Sequence, residues 1–386
     1  VTLANPIRRP ALLVVSAALV TGFGGSIAGA AATRAASRAP IEARTAVASP
    51  AVMDRAVRDR DESAVVLVVL DGVRWQDVFG GADPALARRH GLEPGPWSNP
   101  RELMPNLHRF VESDGVAVGA PGRGATMAAT GPQFISLPGY LEIFGGKPDP
   151  TCDRNDCRTT PGRTLLDDVA AASGPGDVAV VASWPNIARA ASADVGDYAV
   201  TAGRRLASPQ ARLRADDATS RWLDRGRVAG AWPGKGDYRP DAFTAQVALH
   251  YLESARPRFL FVGLGDADEY AHHDDYARYL ESVHEADAFL GDLVRVLGRM
   301  GARGRHTTIL VTADHGRAVD FKDHGPQYPE SGRVFLVAIG DDVRLPGAGG
   351  AARRHTLSDV APTVRALLGV GGGDGEPIAE IASARR

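Results

Sequence analysis

Five short runs rich in β-branched residues constrain this chain most: 65–70 (Val-Val-Leu-Val-Val-Leu), 178–183, 259–264, 307–312 and 334–339. Their hydrophobicity is nearly continuous rather than alternating, which suits strands buried on both faces of a largely parallel sheet. Between the third and fourth runs, Leu280, Val283, Asp287, Leu290, Val294 and Leu297 recur at steps of three and four. That spacing predicts a helix from Tyr276 to Met300 packed on the sheet. Residues 357–368 read as a closing helix with Pro362 in its first turns, and the glycine-rich stretches 347–350 and 371–375 as loops. The expected fold class is α/β, a largely parallel central sheet with helices on both faces, and no internal repeat is visible.

Composition narrows the function classes. The chain is 44% hydrophobic and 23% charged, as a globular protein is, and its 44 basic against 46 acidic residues give a net charge of −2. Such a balance supplies no basic face for a nucleic-acid polymer or an anionic membrane. At the N-terminus Arg8 and Arg9 precede the apolar stretch 11–20 and the small residues Ala28-Gly29-Ala30, a pattern that predicts a signal peptide over 1–32. An uncleaved anchor is the alternative and would be the only membrane span. The two-arginine string leaves both general and twin-arginine export open. A linker over 33–63, a catalytic domain over 64–370 and a tail over 371–386 follow, and the expected destination is the periplasm or the extracellular space. Cys152 and Cys157, the only cysteines, are spaced to close a small disulfide loop in an oxidising compartment. The competing structural zinc site would need a second ligand pair, which the sequence lacks.

Chemistry is expected where the strands end, because open α/β sheets bind ligands at the carboxyl edge. The first run ends in Asp71-Gly72, and the third leads into Asp266-Ala-Asp268 and on to His272-His273. The fourth ends at Asp314-His315-Gly316, and Asp323-His324-Gly325 precedes the fifth. Any one of these has a plain explanation, such as a turn cap or a surface loop residue. Together they supply enough carboxylates and imidazoles to surround two divalent ions, and mixed His and Asp donors suit Zn²⁺ better than Mg²⁺.

These motifs, in this order from about Ala64 to Leu368, resemble the alkaline phosphatase superfamily, especially its nucleotide pyrophosphatase/phosphodiesterase branch. Asp71-Gly72, Met104-Pro-Asn-Leu107, Asp268 with His272, Asp314-His315-Gly316 and His324-Gly325 match the family's successive signatures. Its nucleophile pattern falls on Ser136-Leu-Pro-Gly-Tyr140 rather than on the nearby Thr126 or Thr130. Ser136 would equally serve as a helix N-cap. The resemblance implies one metal held by Asp268, His272 and His324 and another by Asp71, Asp314, His315 and the Ser136 oxygen. Asp266 and His273 offer a shifted register for the first set, and His355 is the rival of His324. The implied reaction is hydrolysis of a small phosphorylated substrate through a phosphoseryl intermediate at a two-zinc site. Asn155, within the cysteine loop, is either a donor to a phosphate oxygen or a turn residue, and Trp184-Pro-Asn186 either line the pocket or pack.

Monoester and diester substrates share this core, with the Ser-Leu-Pro-Gly-Tyr pattern favouring the diester. A sulfatase shares the fold, but Tyr140 stands where its motif requires Arg, and Asp71 is followed by Gly rather than by a second Asp. A secreted binding protein that keeps the fold without turnover is the reading from another class, opposed by the complete ligand set.

Overall fold

The computed structural model describes residues 63–113, 115–158, 161–192, 198–205, 213–341, 343 and 353–382. The expected signal peptide, most of the linker and the loop at 347–350 lie outside these residues.

Strands β1 (Ala64–Leu70), β2 (Val116–Val118), β3 (Thr126–Ala128), β4 (Val178–Ala182), β5 (Ala199–Ala202), β6 (Phe259–Leu264), β7 (Thr307–Thr312), β8 (Arg333–Val334), β9 (Leu336–Ile339) and β10 (Arg354–Thr356) form two sheets. The larger has the order β2-β9-β7-β1-β6-β4-β5 and the smaller β10-β3-β8. Every residue of β1, β4, β6 and β7 is buried, odd and even positions alike, so flanking helices cover both faces of the central strands. The pairs β1–β6, β1–β7, β4–β6 and β4–β5 are parallel. The fifth predicted run differs. It breaks at Phe335 into β8, which joins the small sheet, and β9, which runs antiparallel to β7 and β2. A mixed edge of this kind is common on large α/β sheets.

Helices α1 (Pro105–Ser113), α2 (Ser136–Gly145), α3 (Asp241–Ala255), α4 (Asp266–His272), α5 (Tyr276–Arg299) and α6 (Val360–Leu368) matter for the site. The predicted apolar stripe of α5 is largely buried, but its Asp287 does something else. That carboxylate accepts the backbone N–H groups of Asn106 (2.9 Å) and Leu107 (2.7 Å), satisfying the free amides at the start of α1. The stretch expected as a tail packs on the core through Ile378 and Ile381, and the Ile378 N–H donates to the Thr363 hydroxyl.

The parallel registers bring the chemistry together. Leu70 of β1 lies opposite Leu264 of β6, and Val69 lies opposite Thr312 of β7. Asp71, the start of α4 and Asp314 therefore emerge side by side on one edge of the sheet.

Candidate metal centre

Two overlapping groups of ligand atoms occupy that edge. Asp71, Asp314 and His315 form one and Asp268, His315 and His324 the other, each with its donor atoms within 4.8 Å of one another. Ser136, the first residue of α2, reaches the first group: its hydroxyl lies 3.3 Å from Asp71 Oδ1 and 3.2 Å from His315 Nε2. The helix N-cap is Ile135, so the hydroxyl is spent on the site and not on capping. Close approach of α2 to the β7 end depends on Gly139, where a Cβ would collide with the Asp314 carbonyl. Tyr140, one turn further along, donates to Asp71 Oδ2 at 3.0 Å.

His272 extends the second group. Its Nε2 lies 3.2 Å from Asp268 Oδ2 and 3.1 Å from His324 Nε2, while His324 stacks on His315 with ring centres 3.9 Å apart. Asp266 points elsewhere, accepting from Tyr238 at 2.7 Å, and His273 meets the Pro233 carbonyl at 2.9 Å. His355 is also remote in function, held between Asp359 (3.4 Å) and Glu380 (3.2 Å). Thr130 donates to Glu142.

The residues present fit divalent cations. His315 Nδ1 lies 2.8 Å from the Gly316 carbonyl and His324 Nδ1 lies 3.0 Å from the Phe134 carbonyl, so each ring donates from Nδ1 and turns an Nε2 lone pair inward. Metal-ligating histidines are held in this way. Asp314 Oδ2 is buried with no hydrogen-bond partner, a costly state for a carboxylate that a cation relieves. Electrostatics agree. Burial, and then the charge of Asp268, push Asp71 up to about 8 despite the Tyr140 bond. Burial followed by Asp71 raises Asp314 well above the carboxylate range. Burial drives His315 down to about 4 and, with His315 itself, holds His324 well below the usual imidazole value. Crowded carboxylates beside neutral imidazoles are an environment that protons or metal ions must neutralise.

The supporting frame includes residues that sequence reasoning did not single out. Asp241, at the start of α3, accepts the backbone N–H groups of Gly265 and Asp266, both at 2.8 Å, and so anchors α4. Arg317 is buried and ion-paired with Asp268. The cysteines do form a disulfide, Cys152–Cys157, and its loop carries Asn155 to the start of α2. Asn155 Oδ1 accepts the Leu137 N–H at 2.9 Å, and its carbonyl accepts from Asn186 Nδ2 at 3.0 Å. The Trp184 ring lies 6.3 Å from that of Tyr140.

Residues 238–371, which hold every candidate ligand except Asp71 and Ser136, match the model of the Metalloenzyme superfamily. No curated protein sequence matches the chain. Among solved structures, the alkaline phosphatase PafA is similar at TM-score 0.53 and 11% identity, over 83% of this chain and 99% of that one. A 2-O GAG sulfatase is similar at TM-score 0.51 and 13% identity, over 82% of this chain and 73% of its own. This is the alkaline phosphatase superfamily fold. The likeness read from the ordered motifs thus holds for the fold, and the match to the Metalloenzyme superfamily covers the stretch that bears most of the candidate ligands. In that fold the clustered carboxylates and imidazoles lie at the carboxyl ends of β1, β6 and β7, the edge where an open α/β sheet binds its ligands.

Proposed function

We propose that this protein is an exported, two-zinc phosphoric ester hydrolase of the phosphodiesterase type, with Ser136 as nucleophile. The observation that carries the reading is the place of the Ser136 hydroxyl, at a helix start between Asp71 Oδ1 and His315 Nε2 rather than on the helix as a cap. Asp268, His272 and His324 would hold one ion, and Asp71, Asp314, His315 and the Ser136 oxygen the other. Bound there, the ions supply Lewis acidity that neutralises phosphoryl oxygens and acidifies the serine. The chain's own groups do the rest. Asp71 and His315 hold the Ser136 hydroxyl at the centre; its proton passes to solvent water as the oxygen attacks phosphorus in line and the ester oxygen departs. Tyr140 holds the outer oxygen of Asp71, which keeps Oδ1 turned to Ser136. The adduct left on Ser136 is a phosphodiester that keeps the other alcohol of the substrate; water cleaves it, releasing a phosphate monoester and regenerating the hydroxyl.

Asn155 is the proposed substrate contact. The Leu137 N–H fixes its carboxamide through Oδ1, which leaves Nδ2 as the donor for a phosphate oxygen. Phosphate is favoured over sulfate because Tyr140, bonded to Asp71, stands where the sulfatase motif carries arginine. The disulfide supports an oxidising compartment. Small phosphorylated molecules, and no nucleic-acid polymer, are the proposed substrates.

The test is hydrolysis of a chromogenic phosphate diester, a monoester and an aryl sulfate by the chelated chain before and after zinc is restored. Zinc-dependent turnover with the diester fastest is the expected result. A fastest sulfate ester would make the protein a sulfatase, and turnover of none with zinc bound would favour a narrow-specificity enzyme or a binding protein.

A further inference from the structure

Arg317 directly follows Asp314-His315-Gly316 and is only 1% exposed. A buried guanidinium beside a centre meant for dications is repulsive, and it cannot shed its proton to escape. Its contacts show what offsets that cost. Nη1 is ion-paired with Asp268 Oδ1, Nη2 donates to the Lys322 carbonyl at 2.7 Å, and Nε donates to the Phe321 carbonyl. One rigid fork thus joins three pieces of chain: the turn after β7, helix α4, and the loop that leads to His324.

The loop is itself anchored. Phe321, fully buried, packs its ring 5.0 Å from Tyr276 and 5.2 Å from Tyr279 of α5, and the Ala318 N–H closes onto the Asp323 carbonyl at 2.8 Å. Space for the ion pair is left by Gly72, which follows Asp71 at φ +61°: a Cβ there would overlap both Asp268 Oδ1 and Arg317 Nη1. The two oxygens of Asp268 are therefore distinguished. Oδ1 takes the guanidinium and lies 3.8 Å from His324 Nε2, while Oδ2 faces His272 Nε2 at 3.2 Å.

We propose that Arg317 is a positioning residue for the half of the centre made by Asp268, His272 and His324. It selects the carboxylate oxygen that Asp268 offers to the ion and holds the loop bearing His324 in register with α4. The inference rests on the metal-centre reading above.

The test is titration of the chelator-stripped full chain with Zn²⁺ against a chromophoric competitor, with circular dichroism to establish folding. The native chain should bind two ions. R317A should keep one at native affinity and bind the other about 10–100-fold more weakly, as loss of a group that orients a ligand does. R317K keeps the charge without the fork and should fall between them, and it carries the test alone if R317A does not fold. Two ions at native affinity in R317A, or equal weakening of both ions in folded R317K, would overturn the proposal while leaving the metal centre intact. A native chain that binds no zinc would overturn the metal-centre reading and this inference with it.

Discussion

The two halves of the candidate centre are built differently. Asp71, Asp314 and His315 come directly off neighbouring parallel strands and are almost fully buried, so the sheet register alone places them. In the other half, Asp268 and His272 share a seven-residue helix and His324 sits on a loop, with the His272 side chain 42% exposed. Backbone hydrogen bonds set the first half, whereas side-chain contacts through Arg317 and Asp241 set the second. The first should therefore behave as a rigid, chemically fixed site and the second as an adjustable one.

The predictions probe this contrast, beginning with the strongest. Ser136→Ala should lower turnover by more than about 10³-fold, as loss of a nucleophile does, while zinc stoichiometry stays native. Steady-state kinetics beside metal analysis check it, and an active variant would detach α2 from the chemistry. Asp314→Asn removes a carboxylate that has a buried, partnerless oxygen. It should weaken one zinc by at least about 100-fold, beyond the usual effect of an orienting group. His272→Ala, at the exposed half, should weaken the other ion less, and competitive zinc titration ranks the two. An equal effect at both positions would erase the distinction between the halves.

Proton linkage sharpens the contrast further. In the metal-free folded chain Asp71 keeps its proton up to about pH 8, whereas its ordinary value is 3.8, so stability falls as pH rises through that span. His315 works the other way, since a folded value near 4 against 6.5 adds stability as pH climbs between them. Above pH 6.5 that gain is complete, and Asp71, with Glu269 raised to about 7 by burial, dominates. The melting temperature of the stripped protein should therefore drop from pH 6.5 to 8, and zinc should raise it more at pH 8 than at 6.5. Thermal scans with and without zinc check the sign. The smallest effect is expected at the disulfide. Replacing Cys152 and Cys157 by serine should cost about 2 kcal/mol, the loop-entropy value for so short a loop. Through Asn155 it should raise KM more than it lowers kcat, with zinc affinity unchanged. Denaturant unfolding and kinetics separate the two consequences.

Legibility followed the same division. The strand-end residues Asp71, Asp314 and His315 could be read because a hydrophobic run announces its own end, and parallel order then makes neighbours of residues far apart in sequence. His324 was readable only through its motif, since no periodicity places a loop histidine. Arg317 escaped notice because its partner lies 49 residues earlier and nothing local marks an arginine for burial. Asp287 read as part of a helix stripe, yet it caps a helix 180 residues away. The antiparallel direction of β9 is not legible in the run at 334–339 because a buried strand looks alike in either direction.

The most direct test of the central claim is acid quenching of the zinc-loaded chain during turnover of a phosphate diester, followed by mass mapping of its peptides. The account predicts one phosphate, still esterified to the retained alcohol of the diester, on the peptide that carries Ser136, located on that serine and absent from the metal-stripped chain. Zinc-dependent turnover with phosphate found on another residue, or full turnover by the Ser136→Ala chain, would contradict it.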